Sequence, residues 1–419
     1  MSDLNPKASA KAPRPFVFVH VGDLHLDGPD AASVRDLAAI LADLATLSPS
    51  PDAVADFLYL PGDIAEDGRA AQYDLLRGAL PRAPLPVRLI AGDHDRQHGC
   101  MADFAVLFRE VMGEDRVVPP RTDPVRRPLP EQYFYAEDIG GVRCLFLDLC
   151  SAGYGEKGKG LDFRLGWAQA EWLTREILAT LDAQGEPTRP CAVFMHAYPD
   201  DLDPPDTRAE TAGLFRAARV RLVEMGHTHY NELAQDGVTL YAAARSVGQN
   251  EDGSVGYAVA AIDRDVTSWR FKPLDQPWPF VLITSPADRR LATAARADEP
   301  WLCVRALVLS GTAPALVRCR VDDGPWITMD PPDGDDRCWT RSIPWPAEGR
   351  RLSVQAALDT WNGEGPQGMD FDVIEPVGRH WSAPHRAGRP GSDAFALGRW
   401  LQKGLRGDQL GPNRNGRHW

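Results

Sequence analysis

The chain has 419 residues, of which 43% are hydrophobic, and its formal net charge at pH 7 is −13. A chain of this length folds as about two or three domains with cores of their own, and this composition excludes a largely disordered or fibrous protein. The acidic balance disfavours proteins that follow a nucleic-acid backbone, because these usually present a basic surface. No apolar run approaches the ~18 residues that cross a bilayer, so no membrane segment is expected.

The N-terminal segment and the cysteines bear on the cellular compartment. Residues 1–14 are polar and are predicted to be a flexible N-terminus without the hydrophobic core of a secretion signal. The seven cysteines include no Cys-x-x-Cys pair, and several lie in apolar runs, as Cys144 does. This usage indicates buried thiols rather than a disulfide framework. We therefore expect a cytoplasmic protein.

Polar segments follow five apolar runs, each at the point where a buried strand is predicted to end. Residues 17–21 form the first run and lead to Asp23 and His25, which lie two apart, so that in extended backbone both point to the same side. Open α/β sheets place their sites at the carboxyl ends of strands, so the five segments are expected to converge. The other four are Gly62-Asp63, Gly92-Asp93-His94-Asp95, Met195-His196 and Gly226-His227-Thr228-His229.

Each segment taken alone also has a simpler interpretation. Asp23 and the Gly62-Asp63 pair are common turn residues, and an isolated histidine such as His196 is more often a buried, hydrogen-bonded side chain than a ligand. His20 lies within the first predicted strand and is interpreted as a core or supporting residue, because its neighbours point to the opposite side. The ordered combination of all five segments favours a metal site over these alternatives.

The ordered motifs Asp-x-His, Gly-Asp, Gly-x-His-Asp, His and Gly-His-x-His resemble the calcineurin-like metallophosphoesterase superfamily over roughly residues 16–270. Within it, the chain is similar to the branch of cyclic-nucleotide and glycerophosphodiester phosphodiesterases. The resemblance implies two divalent or mixed-valence metal ions, and mixed imidazole and carboxylate ligands suit manganese, iron or zinc. The implied ligands are Asp23, His25 and His229 for the first ion, Asp93, His196 and His227 for the second, and Asp63 as the bridge between them.

The resemblance also implies a mechanism. A bridging water becomes hydroxide near neutral pH, and the two ions hold the attacking and leaving oxygens of an in-line displacement about 3.5–4 Å apart. His94 is outside the implied ligand set and is expected to donate a hydrogen bond or a proton to the phosphoryl or leaving-group oxygen. Asp95 is expected to orient that ring and favour its protonated form.

Asp93 departs from the family pattern, which has asparagine at this position. A carboxylate can still bind the second metal ion, so Asp93 is kept among the expected ligands. It adds negative charge beside the phosphate and removes an amide donor. We therefore expect a change in either the metal or the substrate preference.

The segments between the ligand motifs predict alternating helices and strands. Apolar residues repeat at helical spacing over residues 31–47 and 167–181, while residues 132–149 are typical of a strand pair. The glycine-rich residues 151–164 either border the substrate mouth or form a solvated loop. The family fold is an α/β (α+β) four-layer αββα sandwich, which we assign to a catalytic domain over residues 15–275.

Proline-rich residues 272–279 predict a domain boundary. Short strands between turns then predict a small all-β, immunoglobulin-like sandwich over residues 276–375. Its large rings are candidates for the core, although a carbohydrate-binding or dimerisation role is an alternative. These rings are Trp301, Trp326, Trp339, Trp345 and Trp361.

Residues 376–419 contain eight Lys or Arg against two Asp and predict a basic C-terminal tail with a short helix over 392–405. On an acidic body, this tail is expected to dock on its own or a neighbouring subunit, and a homo-oligomer through the tail or the sandwich is expected. An alternative is that it lends an arginine to the phosphate pocket.

Two classes of function follow from the sequence. The first is a hydrolase of phosphoric esters, a phosphodiesterase rather than a monoesterase, acting on a small-molecule phosphoester. The second is a non-catalytic scaffold with the same fold; a nuclease is a further alternative that the acidic charge disfavours. His94 favours the enzyme, because a scaffold has no need of a proton donor beside a full set of ligands.

Overall fold

The computed structural model describes residues 14–47, 50–97, 100–122, 128–152, 163–203, 205–250, 254–288, 291–292, 301–344, 351–358 and 367–372. Residues 1–13 of the expected flexible N-terminus and the whole basic tail, residues 376–419, lie outside these ranges. Most of the glycine-rich segment, residues 153–162, also lies outside them, as do Trp345 and Trp361.

Strands and helices alternate in the described residues up to residue 225, and the described residues after it form mainly strands. Its described strands are β1 (Phe16–His20), β2 (Phe57–Leu60), β3 (Val87–Leu89), β4 (Arg121–Thr122), β5 (Pro128–Leu129), β6 (Tyr135–Ile139), β7 (Val142–Phe146), β8 (Cys191–Phe194), β9 (Leu222–Met225), β10 (Glu232–Gln235), β11 (Leu240–Ala243), β12 (Gly256–Asp263), β13 (Val266–Pro273), β14 (Phe280–Ser285), β15 (Trp301–Leu309), β16 (Leu316–Val321), β17 (Ile327–Thr328), β18 (Cys338–Pro344), β19 (Arg351–Ala357) and β20 (Gln367–Asp372). Its described α-helices are α1 (Ala32–Ala45), α2 (Pro51–Val54), α3 (Ala70–Ala79), α4 (Ala102–Met112), α5 (Gly166–Leu178) and α6 (Pro205–Ala217).

Two mixed sheets form the N-terminal region. The first has the order β13-β12-β1-β2-β3, with β1, β2 and β3 parallel; the second has the order β10-β11-β9-β8-β7-β6, with β7, β8, β9 and β11 parallel. The predicted strand pair over 132–149 is the β6–β7 hairpin, whose turn is Gly140-Gly141 with positive φ at both residues. A mixed α/β fold is therefore present, as the sequence predicted.

The two sheets meet through aromatic side chains. The Phe194 ring of the second sheet lies 5.1 Å from the Phe18 ring and 5.6 Å from the Phe57 ring of the first sheet, measured between ring centroids. All three side chains are fully buried. Burial of one such side chain contributes about 1.5–3 kcal/mol, and edge-to-face ring pairs add a smaller, directional term. This packing holds the ends of strands from both sheets at one edge.

Helix α1 shows how the predicted helices attach. Its apolar positions recur three and four residues apart, so Leu37, Ile40 and Leu44 lie on one face and are buried. The predicted helices over 31–47 and 167–181 correspond to α1 and α5, each a few residues shorter than predicted. None of the described helices is both long and apolar enough to span a membrane.

The C-terminal strands form a three-stranded sheet, β14-β15-β18, and a four-stranded sheet, β17-β16-β19-β20. Side chains alternate along β14: Phe280 and Leu282 join the core of the N-terminal region, whereas Val281 and Ile283 join a separate apolar cluster. Both C-terminal sheets contribute to that cluster, through residues such as Val304 and Val354. The three-stranded sheet therefore contributes side chains to both apolar cores, one from each face.

A buried arginine also fastens the C-terminal strands to the N-terminal region. Arg337 has a side chain only 2% exposed, pairs with the Asp56 carboxylate at 2.8 Å and donates to the carbonyl oxygen of Pro15 at 3.1 Å. The residues on either side of the predicted boundary at 275 are therefore packed together directly.

The tryptophans contribute less to the second core than the sequence suggested. Trp301 is 45% exposed, so its expected place in the core is wrong. Trp326 lies half-buried under the guanidinium groups of Arg318 and Arg320, and Trp339 packs at the edge of the apolar cluster. Aliphatic side chains fill the interior instead. The cysteines agree better with prediction, since five of the seven are buried and no disulfide joins them.

Candidate metal centre

The ligand candidates follow five strands of the two sheets. Asp23 and His25 come after β1, Asp63 after β2 and Asp93 after β3, while His196 follows β8 and the pair His227 and His229 follows β9. The parallel strands end at the same edge of the sheets, which is why side chains more than 200 positions apart meet.

The local backbone differs from the extended geometry that the sequence suggested. His25, Asp63, His227 and His229 have φ values of 44°, 47°, 68° and 63°, so all four adopt the left-handed conformation. Such residues cost about 1–3 kcal/mol each and cluster at functional sites. The expectation that alternation along a strand aims Asp23 and His25 at one ion is therefore wrong, although the two side chains do converge.

The first group of side chains contains Asp23, His25, Asp63 and His229. The Nε2 atoms of His25 and His229 lie 3.0 Å apart. His25 Nε2 lies 3.7 Å from Asp63 Oδ2, and His229 Nε2 lies 3.8 Å from Asp23 Oδ2. Two imidazole nitrogens and two carboxylates thus face one small space.

The second group contains Asp63, Asp93, His196 and His227. Asp93 Oδ1 lies 3.1 Å from His196 Nε2 and 3.2 Å from His227 Nδ1, and Asp63 Oδ2 lies 3.4 Å from His196 Nε2. The Nδ1 atom of His196 lies 2.7 Å from the carbonyl oxygen of Pro61. Because a carbonyl only accepts, Nδ1 carries the proton and Nε2 is directed at the two carboxylates.

Asp63 belongs to both groups, which is the position of a bridging ligand. Its Oδ2 and the Oδ1 of Asp23 are buried and have no hydrogen-bond partner among the described residues. Leaving such oxygens unsatisfied is costly. Two carboxylate oxygens without hydrogen-bond partners face imidazole nitrogens here. This set of donor atoms therefore fits a pair of metal cations.

The pKa shifts of residues in the second group also fit metal binding. Although burial opposes it, hydrogen bonds with His196 and His227 hold the pKa of Asp93 well below its usual range. Burial likewise opposes a charged His196, yet Asp63 and Asp93 raise its pKa. Carboxylates paired with imidazoles in this way are compatible with metal binding, which displaces protons from its ligands.

Glycines allow the segments to approach this closely. A Cβ on Gly226 would lie 2.2 Å from Asp23 Oδ1, and one on Gly92 would lie 2.1 Å from Asp63 Oδ1. Gly62 has a φ of 104°, which side chains rarely permit. The glycines before Asp63, Asp93 and His227 are therefore required by close contact or backbone conformation.

His94 lies beside the first group. Its ring is half-buried and meets the His25 ring edge to face, with the centroids 4.5 Å apart. Its Nδ1 lies 2.5 Å from the carbonyl oxygen of Glu66, so Nδ1 carries a proton and Nε2 remains to act on a substrate. The backbone N–H of His94 donates to Asp63 Oδ1 at 2.8 Å.

The structure corrects the role predicted for Asp95. Its carboxylate does not contact the His94 ring; it accepts hydrogen bonds from the backbone N–H groups of Ala65 at 3.1 Å and Gly92 at 2.9 Å, and from the Tyr73 hydroxyl at 3.0 Å. Burial and the neighbouring Asp63 raise the pKa of Asp95 to about 6. Asp95 therefore ties together the segments that carry Asp63 and Asp93.

His20 is a core residue, as interpreted from the sequence. It is fully buried, and its Nδ1 lies 2.5 Å from the Glu224 carboxylate, which also accepts from Trp269 Nε1 at 3.0 Å. His20 and Glu224 lie in β1 and β9, the strands that lead to Asp23 and His227. The pair links these two strands beneath the site.

A family model for calcineurin-like phosphoesterases matches residues 16–231, more than half of the chain. The chain belongs to this family. The motif-based resemblance is thereby confirmed.

Two curated relatives of this calcineurin-like phosphoesterase are phosphodiesterases. The glycerophosphodiester phosphodiesterase GpdQ of Enterobacter lignolyticus is 30% identical over 164 residues, which are 39% of this chain and 47% of the relative. The chain therefore aligns with only about half the length of that protein. A probable cyclic nucleotide phosphodiesterase of Synechococcus is 26% identical over 56% of this chain and 82% of the relative.

Among solved structures, a dimetal phosphatase from Danio rerio is similar, with 15% identity and a TM-score of 0.43. The similarity covers 62% of this chain and 97% of the phosphatase.

Three residues near the site of this phosphoesterase were missed by sequence reasoning. Glu66 and Gln249 contact each other at 3.0 Å beside His25, and the buried Phe163 ring meets the His227 ring with centroids 5.0 Å apart. Glu66 follows Asp63 by only three residues, and this short spacing could have indicated that Glu66 lies near the site. Nothing local distinguishes Gln249 or Phe163, because tertiary packing brings both to the site.

Proposed function

We propose that the protein is a metal-dependent phosphodiesterase that hydrolyses a small phosphodiester. The observation that carries the proposal is the pair of ligand groups that share Asp63, with the His94 ring beside them. A non-catalytic scaffold would not need a partly exposed imidazole whose Nδ1 is already fixed by a carbonyl.

The seven proposed ligands are Asp23, His25, Asp63, Asp93, His196, His227 and His229. They suit manganese, iron or zinc. Bound there, two such ions supply a nucleophile from water at neutral pH and neutralise negative charge on the phosphoryl oxygens.

The residues of the chain have separate roles in this proposal. Asp63 is fixed by the His94 N–H, so the shared ligand and the proposed donor are placed relative to each other. In its imidazolium form, with the Nδ1 proton directed at the Glu66 carbonyl, His94 uses the Nε2 proton to donate a hydrogen bond to the phosphoryl group or to protonate the departing oxygen, which leaves as an alcohol while the ring becomes neutral. Phe163 covers one side of the His227 ring, edge to face.

Two observations support a diester rather than a monoester. Both curated relatives described above are named as phosphodiesterases. In addition, the three aspartates of the site add negative charge, which disfavours a dianionic monoester more than a monoanionic diester. The acidic chain also favours a small substrate over a nucleic acid.

The test is a substrate panel after reconstitution of the metal-free protein with each metal in turn. The panel contains bis(p-nitrophenyl) phosphate, a glycerophosphodiester, a cyclic nucleotide, p-nitrophenyl phosphate and single-stranded DNA. We expect diester hydrolysis to exceed monoester hydrolysis. Failure on every ester despite two bound ions would favour the scaffold, and preferential cleavage of DNA would favour a nuclease.

We also propose a division into a catalytic domain over residues 15–275, with αββα layering, and a β-sandwich over residues 276–375. Helix α3 packs against α1 and α4, and α5 packs against α6, which supports two helical layers. The apolar cluster shared by the two C-terminal sheets supports the sandwich. Small-angle scattering of the purified chain tests whether the two units move as one body.

A further inference from the structure

Glu66 contacts two histidines of the site through two different groups. Its carboxylate Oε2 lies 3.2 Å from Nδ1 of His25, at ion-pair distance, and its backbone carbonyl oxygen lies 2.5 Å from Nδ1 of His94. The Glu66 side chain is 35% exposed, whereas that of His25 is 1% exposed. One residue thus reaches from the rim of the site to a buried imidazole.

A segment beyond the family match holds the Glu66 carboxylate in place. Gln249 Nε2 donates to both Glu66 oxygens at 3.0 Å, and the Gln249 N–H donates to Ser246 Oγ at 3.0 Å. The Ser246 hydroxyl in turn donates to the carbonyl oxygen of Asp23 at 2.8 Å. Residues 246–249 therefore connect the Asp23 backbone with the Glu66 side chain.

The contact between Glu66 and His25 determines which ring nitrogen of His25 faces the other ligands. With Nδ1 beside the Glu66 carboxylate, Nε2 faces His229 Nε2 at 3.0 Å and Asp63 Oδ2 at 3.7 Å. A carboxylate next to the distal nitrogen of a metal-binding histidine fixes the tautomer and ring orientation and increases basicity. His196 has a neutral carbonyl, that of Pro61, in the corresponding place.

We propose that Glu66, clamped by Gln249, is a positioning residue that orients His25 for the first metal ion and His94 for the substrate. The inference rests on the proposed function and extends it to residues outside the seven ligands. Because both contacts come from one residue, movement of the Glu66 segment shifts a ligand and the proton donor together. The rings of His25 and His94 also contact each other edge to face.

The experiment measures metal binding and catalysis in full-length Glu66→Ala, Glu66→Gln and Gln249→Ala variants. Asp67→Asn is the matched control, since it removes one carboxylate at the next position, whose partner is Arg69 at 2.9 Å. The metal-free proteins are titrated with manganese or zinc against a chelating dye, which reports two dissociation constants without any turnover. Thermal unfolding of the metal-free proteins checks the fold.

We expect Glu66→Ala to weaken one of the two metal sites by about 10- to 100-fold and to leave the other nearly unchanged. Glu66→Gln keeps an accepting oxygen without the charge, so its loss should be smaller, and Gln249→Ala should fall between wild type and Glu66→Ala. Glu66→Ala keeps the backbone carbonyl that faces His94 Nδ1, so its effect on His94 comes only through movement of the Glu66 backbone after the Gln249 contact is lost. Such movement should slow diesters with poorly leaving alcohols more than those that release p-nitrophenol.

Wild-type affinity at both sites in Glu66→Ala would overturn the proposal, as would an equal loss in Asp67→Asn. If Glu66→Ala unfolds without metal, Glu66→Gln decides: a selective loss at one site supports the proposal, and unchanged binding overturns it. A failure of the proposed function would give a different experimental result. A protein that binds two ions, loses one in Glu66→Ala and hydrolyses no phosphoester would retain the positioning role without the enzyme.

Discussion

The backbone N–H of His227 donates a 2.8 Å hydrogen bond to Oδ2 of Asp23, a residue 204 positions earlier in the chain. The first and last ligand motifs are therefore joined directly, with Oδ1 of Asp23 left for a cation. Gly226 makes the contact possible, because the strand β9 approaches the carboxylate at this residue. The first prediction follows from that closeness.

A Gly226→Ala variant is expected to lose metal binding. The new Cβ would lie 2.2 Å from Asp23 Oδ1 and 2.9 Å from Pro61 Cβ, so the Asp23 carboxylate must move. Elemental analysis of the purified variant should show less than one equivalent of metal. Gly78→Ala, in α3 with open space around the site of substitution, is the control and should instead stabilise the protein by about 0.5–1 kcal/mol. Full metal content in Gly226→Ala would contradict the expected displacement.

A His94→Ala variant is expected to lower kcat by about 100-fold or more while both metal ions stay bound. His94 is the proposed donor rather than a ligand, and its Nδ1 is occupied by the Glu66 carbonyl. Steady-state rates and metal content are measured on the same preparation, with His196→Ala as the variant that should lose metal. Parallel loss of metal in His94→Ala would make this residue a ligand.

An Asp93→Asn variant is expected to raise the ratio of monoester to diester kcat/KM by about fivefold or more. Removal of one negative charge beside the phosphate favours a dianion over a monoanion. The ratio is measured with p-nitrophenyl phosphate and bis(p-nitrophenyl) phosphate at saturating metal. Asp74→Asn, at a side chain that is 67% exposed and pairs with Arg77, changes the same charge at an exposed position outside the ligand groups and should leave the ratio constant. An unchanged ratio in Asp93→Asn would show that this carboxylate does not act on substrate charge.

An Arg337→Ala variant is expected to reduce the free energy of unfolding by about 1.5–3 kcal/mol, since it removes charge-assisted hydrogen bonds to the Asp56 carboxylate, which then keeps only Arg14 and the Val17 N–H as partners. Urea denaturation followed by tryptophan fluorescence provides the measurement. Arg341→Ala is the matched control: its partner Asp330 lies at 3.4 Å and both side chains are exposed, so the loss should stay below about 1 kcal/mol. Similar losses in the two variants would mean that the interface between the two cores does not depend on the buried pair.

Much of the site could be predicted from the sequence because the motifs that mark its residues are each only a few residues long. A strand followed by a ligand, with a glycine between them in four of the five segments, is a pattern within a few residues, and the five segments occur in the order of a known family. The β6–β7 hairpin and helices α1 and α5 were predictable for the same reason, since apolar periodicity and a Gly-Gly turn are short-range signals. The bridging position of Asp63 follows from the same ordered motifs.

The predictions from the sequence were wrong where the partner of a side chain depends on tertiary contacts. Asp95 adjoins His94 in the chain, yet its carboxylate points to the N–H groups of Ala65 and Gly92, which the neighbouring strand ends place within reach. The expected core position of Trp301 failed similarly, because aliphatic residues of two sheets already fill the second cluster.

The sequence by itself determined the family, the mixed α/β fold and the set of side chains able to bind two metal ions. Only the tertiary structure decided the left-handed backbone of four of those residues, the separation of Asp95 from His94, and the contact of Glu66 with His25 and Gln249. The physical reason is the range of the interactions. Residue types and periodicity act over a few positions, whereas the orientation of a buried imidazole is set by partners that packing brings from distant segments, as Glu224 is brought to His20 from 204 positions away.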